Sequence, residues 1–232
     1  MKISVIIPTL NEEKYIEYTL FHIKKQCPLE IIVSDACSKD GTVRIAKRYG
    51  ARIIRSRKKN AAAGRNAGAS IARGDILLFM DADSIPYPNL LETVSRDFSK
   101  DKKLMCWTCK IYAFSPKWKE HLLYEGFNSF LRSSAKIKKP KAAGIVIAVR
   151  KSAFSDIGGF DEGIDVLEDF DLCSRMKALG KFKFSTKTCV YTSTRRVSSW
   201  GVLSSLKKYI KMYLKTTLNR ERVSKKHYRP IR

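Results

Sequence analysis

No apolar run in this chain of 232 residues approaches the ~18 consecutive positions that a membrane-spanning helix needs. No membrane span is therefore expected. The opening Met1-Lys-Ile-Ser-Val-Ile-Ile-Pro8 has too short an apolar stretch for an export signal, and Pro8 and Glu12-Glu13 interrupt it. Cytoplasmic residence is the expectation. Two phosphate-binding signatures are also missing. Without Gly-x-Gly-x-x-Gly or a Gly-Lys-Ser/Thr loop, NAD-type and ATP-type readings are weak. A nucleotidyltransferase would want a Gly-rich loop after the first strand, and Pro8-Thr-Leu-Asn-Glu12 is not one. The six cysteines sit in a long chain without an export signal, so reduced thiols are expected. Cys106-x-x-Cys109 has no second Cys or His pair at finger-like spacing, so zinc is not expected. Acids are scarce: 22 against 46 Lys and Arg leaves a net charge of +24. Such a field predicts an anionic partner: nucleotide phosphates, an acidic membrane surface or nucleic acid. No zinc-finger, RNA-recognition or recognition-helix pattern accompanies the charge, and the basic residues are spread along the chain. Nucleic acid is therefore not expected as a partner. There is no internal repeat and no linker rich in Pro, Gly or Ser.

What is present is a 44% hydrophobic chain with one unusual stretch, Arg73-Gly-Asp-Ile-Leu-Leu-Phe-Met-Asp-Ala-Asp83-Ser84. Its apolar run reads as a buried central strand that stops at two aspartates one residue apart. Open α/β sheets place ligands just beyond such strand ends. Asp81 and Asp83 have no nearby lysine and repel one another unless a cation sits between them. A hard divalent ion sharing phosphate oxygens is the natural candidate. The plain alternative is a pair of solvated turn aspartates.

The preceding segments alternate. Residues 3–7 read as a strand ended by Pro8. A helix follows, starting near Thr9 or Asn11 as cap and running to Cys27-Pro28. Residues 30–35 form a second strand ending on Asp35, and 43–49 a helix closed by Gly50. A third strand covers 51–54, and the small-residue segment 60–72 a helix, with Gly64 and Gly68 permitting close backbone approach. This β-α-β-α-β-α-β order predicts a parallel, right-handed, doubly wound sheet.

Beyond Pro86 and Pro88, a helix is expected near 89–98, strands near 104–113, 142–149 and 188–192, and a helix from Glu168 to Leu179 closed by Gly180. Two stretches are amphipathic and lysine-rich. In 117–137, Leu123, Phe127, Phe130 and Leu131 recur at helical spacing; in 202–218, Leu203, Leu206, Ile210 and Leu214 share a face beside Lys207, Lys208, Lys211 and Lys215. They suit docking on an anionic membrane, or ordinary packing of one face on the core. The tail 220–232 is basic, with little to bury, and mobility is expected there.

Four segments, in order, carry a resemblance. They are Ser4-Val-Ile-Ile-Pro-Thr-Leu-Asn-Glu-Glu13; Ile32-Val-Ser-Asp-Ala-Cys-Ser-Lys-Asp-Gly-Thr42; Arg65-Asn-Ala-Gly68 with Gly74-Asp75-x5-Asp81-Ala-Asp83; and Gly158-Gly-Phe-Asp-Glu162 with Glu168-Asp-Phe-Asp-Leu172. Together, from about residue 3 to 200, they resemble family 2 glycosyltransferases. The resemblance implies a GT-A fold: a doubly wound, mixed but mostly parallel sheet flanked by helices. That single domain over 1–200 would have a nucleotide half (1–84) and an acceptor half (85–200), with 201–232 a basic helix and tail. It implies a nucleotide-diphosphate sugar donor, UDP- or GDP-linked, and a sugar, glycolipid or polyprenyl-phosphate acceptor, with an anionic membrane surface as a further partner. Pro8, Thr9 and Glu12 match the first loop lining the nucleotide, and Asp35 the aspartate that bonds the base. Many members carry two adjacent aspartates there; this chain has Asp35-Ala36. Asp40 matches a second turn aspartate, with capping of the next helix as its alternative. Arg65 matches a side chain placed over base or phosphates. Asp83 matches the ligand of Mn²⁺ or Mg²⁺, and Asp81 a group on the ribose or, through water, the same cation. Asp169 matches the general base of inverting members, with Glu168 beside it. A phosphate acceptor would need no base, and Asp169 would then position groups or hold a cation. Asp171 reads as a helix-surface residue. Arg195-Arg196 lie where members close a loop over the diphosphate, and paired guanidiniums suit that role.

Overall fold

Strand β1 (Ile3–Thr9) is the hub of the molecule, because the chain leaves it in both directions across one sheet. The computed structural model describes residues 1–218. After β1 come α1 (Ile16–Lys24), β2 (Glu30–Asp35), α2 (Thr42–Arg48), β3 (Arg52–Arg55), α3 (Ala61–Ser70) and β4 (Ile76–Met80). The second half supplies β5 (Ser84–Pro86), α4 (Leu90–Lys100), β6 (Leu104–Phe114), α5 (Trp118–Lys136), β7 (Val146–Arg150) and α6 (Lys151–Asp156). It ends with α7 (Glu168–Leu179), β8 (Lys181–Ser193), α8 (Arg195–Trp200) and α9 (Val202–Leu218). The sheet order is β3-β2-β1-β4-β7-β6-β8-β5. β3, β2, β1 and β4 are mutually parallel, β7 is antiparallel to β4 and β6, β8 is parallel to β6, and β5 runs against β8. The expected mixed, mostly parallel sheet is present.

Strand alternation divides the core. Val5, Ile7, Leu78 and Met80 face α1, α2, α4 and α5, while Ile6, Leu77 and Phe79 face α3, α6 and α7. Every residue of β4 is buried, as a strand covered on both faces requires. α3 packs so closely that a Cβ on Gly68 would lie 2.3 Å from Ile6 Cγ2. Gly68→Ala should therefore lose about 1–3 kcal/mol to overpacking against a fully buried Ile6, offset by ~1 kcal/mol of helix propensity. Urea unfolding measures the net loss, and a variant as stable as the parent would show that Ile6 can yield.

Several boundaries differ from those expected, each for a local reason. β1 runs through Pro8 to Thr9. Thr9 O accepts from Ala36 N on the β2 side, so alternation turns position 8 toward β4, whose pairing has already ended at Ile6–Phe79. The missing N–H is not needed there. α1 begins at Ile16 rather than near Asn11, which adopts a left-handed backbone (φ 56°). Asn11 clips a neighbouring loop instead of capping: its N–H donates to Ser38 Oγ at 2.8 Å and its Oδ1 accepts from Lys39 N at 2.8 Å. β7 begins at Val146, not 142, because Gly144 is engaged by side chains. β8 extends far beyond 188–192, since its first half pairs with β6. The expected mobile tail, 220–232, lies outside the described residues.

Candidate active site

The carboxyl ends of β1, β2 and β4 meet where the chain reverses its direction of travel across the sheet, the usual place for a ligand crevice. Thr9 closes β1, Asp35 closes β2, and Asp81 follows β4. Asp35 is buried and fully engaged: Oδ1 accepts from Thr9 Oγ1 (3.1 Å) and Ser38 Oγ (2.5 Å), and Oδ2 from Ser38 N (2.9 Å). Pro8 supports the floor, its Cβ only 3.0 Å from where a Cβ on Gly64 of α3 would stand. Asp40 turns inward to the helix start, accepting from Thr42 N (3.0 Å), Thr42 Oγ1 (2.5 Å) and Glu13 N (3.1 Å). Burial alone would raise its pKa, but these hydrogen bonds outweigh it and hold the carboxyl below its usual value. Asp40 thus braces the turn before α2, whose N-cap is Gly41, by holding the N–H and hydroxyl of the first helical residue.

Arg65, on α3, organises the centre. Its side chain is 3% exposed, with Nη1 2.6 Å from Glu168 Oε1 and Nη2 3.2 Å from Asp81 Oδ1. Nη2 also donates to Gly144 O at 3.1 Å, and the guanidinium lies 5.3 Å from the Phe160 ring centre. Burial works against its charge, but Glu168 and Asp81 more than compensate and keep it protonated. A side chain so enclosed joins two carboxylate pairs instead of lying open over a base or phosphates, as the resemblance implied.

Asp83 faces a second arginine. Arg195 Nε stands 3.2 Å from Asp83 Oδ2, while Nη1 and Nη2 grip Glu12 at 2.8 and 2.7 Å. The guanidinium also lies 4.8 Å from the centre of the Tyr15 ring. Burial and the neighbouring Asp81 push the Asp83 carboxyl up to about 7, against the opposing field of Arg195. Arg196 is half-buried and near enough for its charge to act on Asp83 as well. Expected on a loop, this arginine pair instead opens the short helix α8.

Asp169 is held by backbone. Gly144 N donates to Oδ2 at 2.6 Å and Phe170 N to Oδ1 at 2.8 Å. Burial, then Glu168, raises its pKa to about 7, while Arg65 and the two N–H donors pull the other way. Leu167, just before the pair, is left-handed at φ 67°; Asn11 and Cys37 (φ 66°) in the loops beyond β1 and β2 are too. Such residues cost of order 1–3 kcal/mol each and gather at working sites.

The result is a continuous row: Glu12–Arg195–Asp83, Asp81–Arg65–Glu168, and Asp169 beside Glu168. Five carboxylates and two guanidiniums make an electronegative centre in a protein of net charge +24. Sequence reading named all seven residues. It missed Gly144, whose backbone holds both Asp169 and Arg65, and Tyr15 beneath Arg195. It also missed Tyr124, a phenol on α5 whose pKa is driven up by burial and then by Tyr209 and Asp83. No spacing motif marks these three; they meet only through the fold.

A sequence model described as glycosyl transferase family 2 matches residues 4–158, two thirds of the chain. The chain is a family 2 glycosyltransferase. Relatives of this glycosyltransferase include a chondroitin synthase of Pasteurella multocida (strain Pm70), 27% identical over 97% of this chain but 24% of the relative. A poly(ribitol-phosphate) beta-N-acetylglucosaminyltransferase, TarS of Staphylococcus aureus (strain Mu50), is 34% identical over 36% of this chain and 16% of its own length. The chain thus spans about a quarter or less of these two relatives. Among solved structures, S. aureus TarS 1–349 superposes with a TM-score of 0.68 at 20% identity, covering 90% of this chain and 65% of that one. The mannosyltransferase PcManGT from Pyrobaculum calidifontis, in complex with GDP-Man and Mn²⁺, has a TM-score of 0.68 at 19% identity and covers 90% and 64%. The fold is GT-A.

The carboxylates of Asp81 and Asp83 fit a hard divalent cation. They are oxygen donors one residue apart, and burial with the neighbouring Asp81 makes the Asp83 carboxylate costly to ionise, a cost that bound positive charge would offset. Among the described residues, no group of three or more His, Cys, Asp or Glu could hold a metal. A cation here would therefore draw its remaining ligands from substrate and solvent, as Mg²⁺ does at phosphate sites.

Proposed function

We propose that this glycosyltransferase moves a sugar from a UDP- or GDP-sugar to an acceptor hydroxyl with inversion, using Mn²⁺ or Mg²⁺ held by Asp83 with Asp81. The observation that carries the reading is the charged row linking Asp83, at the strand end where nucleotides bind, to Asp169 through Arg65. In this reading residues 1–84 serve the nucleotide, 85–200 the acceptor, and 201–232 form a basic appendage. Pro8, Thr9 and Asp35 hold the nucleoside, and Arg195 with Arg196 receives the diphosphate. The ion, when bound, neutralises charge as the nucleoside diphosphate departs. Asp169 accepts the proton of the attacking hydroxyl while the bond from the anomeric carbon to the diphosphate breaks. Arg65 fixes Glu168 and Asp81 so that the two carboxylate pairs keep their spacing, and Gly144 N orients the base.

Support for the donor class comes from neighbours of the same fold: a TarS 1–349 structure is in complex with UDP-GlcNAc, and PcManGT with GDP-Man and Mn²⁺. A lipid-linked acceptor, with the enzyme peripheral at the inner face of a cell membrane, fits the lysine-rich helices. If that acceptor is a polyprenyl phosphate, its own oxygen is already ionised and Asp169 is relieved of the proton. A panel of UDP-, GDP- and dTDP-sugars, followed by thermal shift and donor hydrolysis with Mn²⁺, tests the reading. One base class should raise the melting temperature in the presence of the ion. No response from any donor would overturn the assignment.

A further inference from the structure

The outer surface of α5 and α9 has no function in sugar transfer as described above. Helix α9 packs inward through Ser205, Tyr209 and Met212, not through Leu203, Leu206 or Leu214. Leu203 (75% exposed), Leu206 (42%), Ile210 (50%) and Leu214 (46%) instead form a continuous ridge open to solvent. At about 100° per residue this ridge lies well away from the buried face, with exposed Lys207 and Lys211 along its flank. α9 contains no acidic residue. α5 runs beside it in the same direction: residues 117–120 share a groove with Gly201 and Val202, and further along Phe130 meets Tyr213 ring to ring at 5.4 Å. Trp118 (68% exposed) and Leu122 (64%) point outward from α5, opposite its buried Asn128 and Leu131. Glu125 is the acid on that outer surface, against Lys119, Arg132 and Lys136.

We infer that this two-helix face seats on an anionic lipid bilayer, with the Leu203–Leu214 ridge and Trp118 entering the interface. The groove between Lys117, Trp118, Lys119, Val197, Gly201 and Val202, of about 290 Å³, takes a lipid phosphate headgroup. This deepens the peripheral placement proposed above by assigning its surface. Four exposed aliphatic side chains in line are unusual for a surface facing water, and basic residues beside them match the sign of a phospholipid surface. An exposed indole beside a groove flanked by two lysines is the arrangement found at membrane interfaces. The seat also connects to chemistry. Glu120, on the groove's inner wall, accepts from Ser198 Oγ at 2.7 Å on α8, the helix whose first residue, Arg195, reaches Asp83. A lipid-borne acceptor would thus arrive one short helix from the donor pocket.

Sedimentation of the full chain with vesicles tests this, using phosphatidylcholine alone or with about one third phosphatidylglycerol. Binding is expected with the anionic vesicles only, weakening with salt, and with a blue shift of Trp fluorescence that Trp118→Phe removes. Leu206→Glu with Ile210→Glu should weaken partitioning at least tenfold, and Lys119→Gln with Lys207→Gln about tenfold, with melting temperature and donor hydrolysis unchanged. Three outcomes would overturn the inference: no binding, or binding that neither pair alters; a dimer in solution that the ridge pair dissolves, meaning a second copy covers it; and a melting temperature lowered by the ridge pair without vesicles, meaning the chain's own tail does. Donor hydrolysis that persists while vesicle binding fails sinks this surface and spares the enzymatic reading. Vesicle binding without turnover of any donor does the reverse.

Discussion

Asp83→Ala should abolish the Mn²⁺-dependent binding of UDP or GDP while leaving the fold at least as stable as the parent. The side chain packs against no apolar cluster, and Arg195 keeps its two-point grip on Glu12 when Asp83 is gone. The carboxyl is held near 7 by burial and by Asp81, so between about pH 4 and 7 the native state retains a proton that the unfolded chain has released. Stability contributed by this group therefore falls as pH rises through that window, and removing it should not lower the melting temperature at pH 8. Calorimetry of nucleotide with and without Mn²⁺, together with thermal melting, reads both effects. Undisturbed nucleotide binding in the presence of the ion would show that Asp83 is not its ligand.

Asp169→Asn should reduce sugar transfer by about 10²-fold or more if Asp169 takes the proton of an acceptor hydroxyl. The amide keeps shape and an acceptor oxygen but cannot become basic. The parent enzyme should also show the titration of this group. With its pKa raised to about 7 by burial and by Glu168, the unprotonated base accumulates only as pH rises. With donor and Mn²⁺ saturating, so that the ion keeps Asp83 ionised, kcat should climb about tenfold per unit below pH 7 and then level off. The variant should lose that limb along with the rate, which separates loss of a base from general damage to the site. Near-parental transfer by the variant would point to an acceptor whose attacking oxygen is a phosphate.

Much of this was legible in the residue order. The run Ile76–Met80 ending in Asp81-Ala-Asp83 reads as a buried strand carrying ligands because no helix of that length would be apolar all round. Asp83 and Asp169 each stand in a short acidic motif that residue order alone displays. What escaped were the groups whose roles depend on backbone amides or on residues far apart in the chain. Asn11 has the composition of a helix cap, yet a left-handed backbone gives its side chain to residues 38–39. Gly144 sits in a stretch that reads as strand, and its N–H and C=O are withdrawn from the ladder to hold Asp169 and Arg65. Arg65 is 16 residues from Asp81 and 103 from Glu168, so no local pattern could pair it with both.

The two amphipathic helices show the same division. Periodicity identified the faces of α9 but not which one turns inward. An apolar ridge serves a core or a bilayer equally well by composition, and packing gave the inward position to Ser205 and Met212. Residue order alone was enough for the family, the doubly wound order and the identity of the acids and arginines, because local hydrophobic period and short motifs report on one strand or one loop at a time. It took the folded chain to bring those acids and arginines into one row, to set Arg195 against Asp83, and to leave Leu203, Leu206 and Leu214 of α9 outside. Those facts depend on how segments up to 183 residues apart come to rest against each other, and no window along the chain contains both partners.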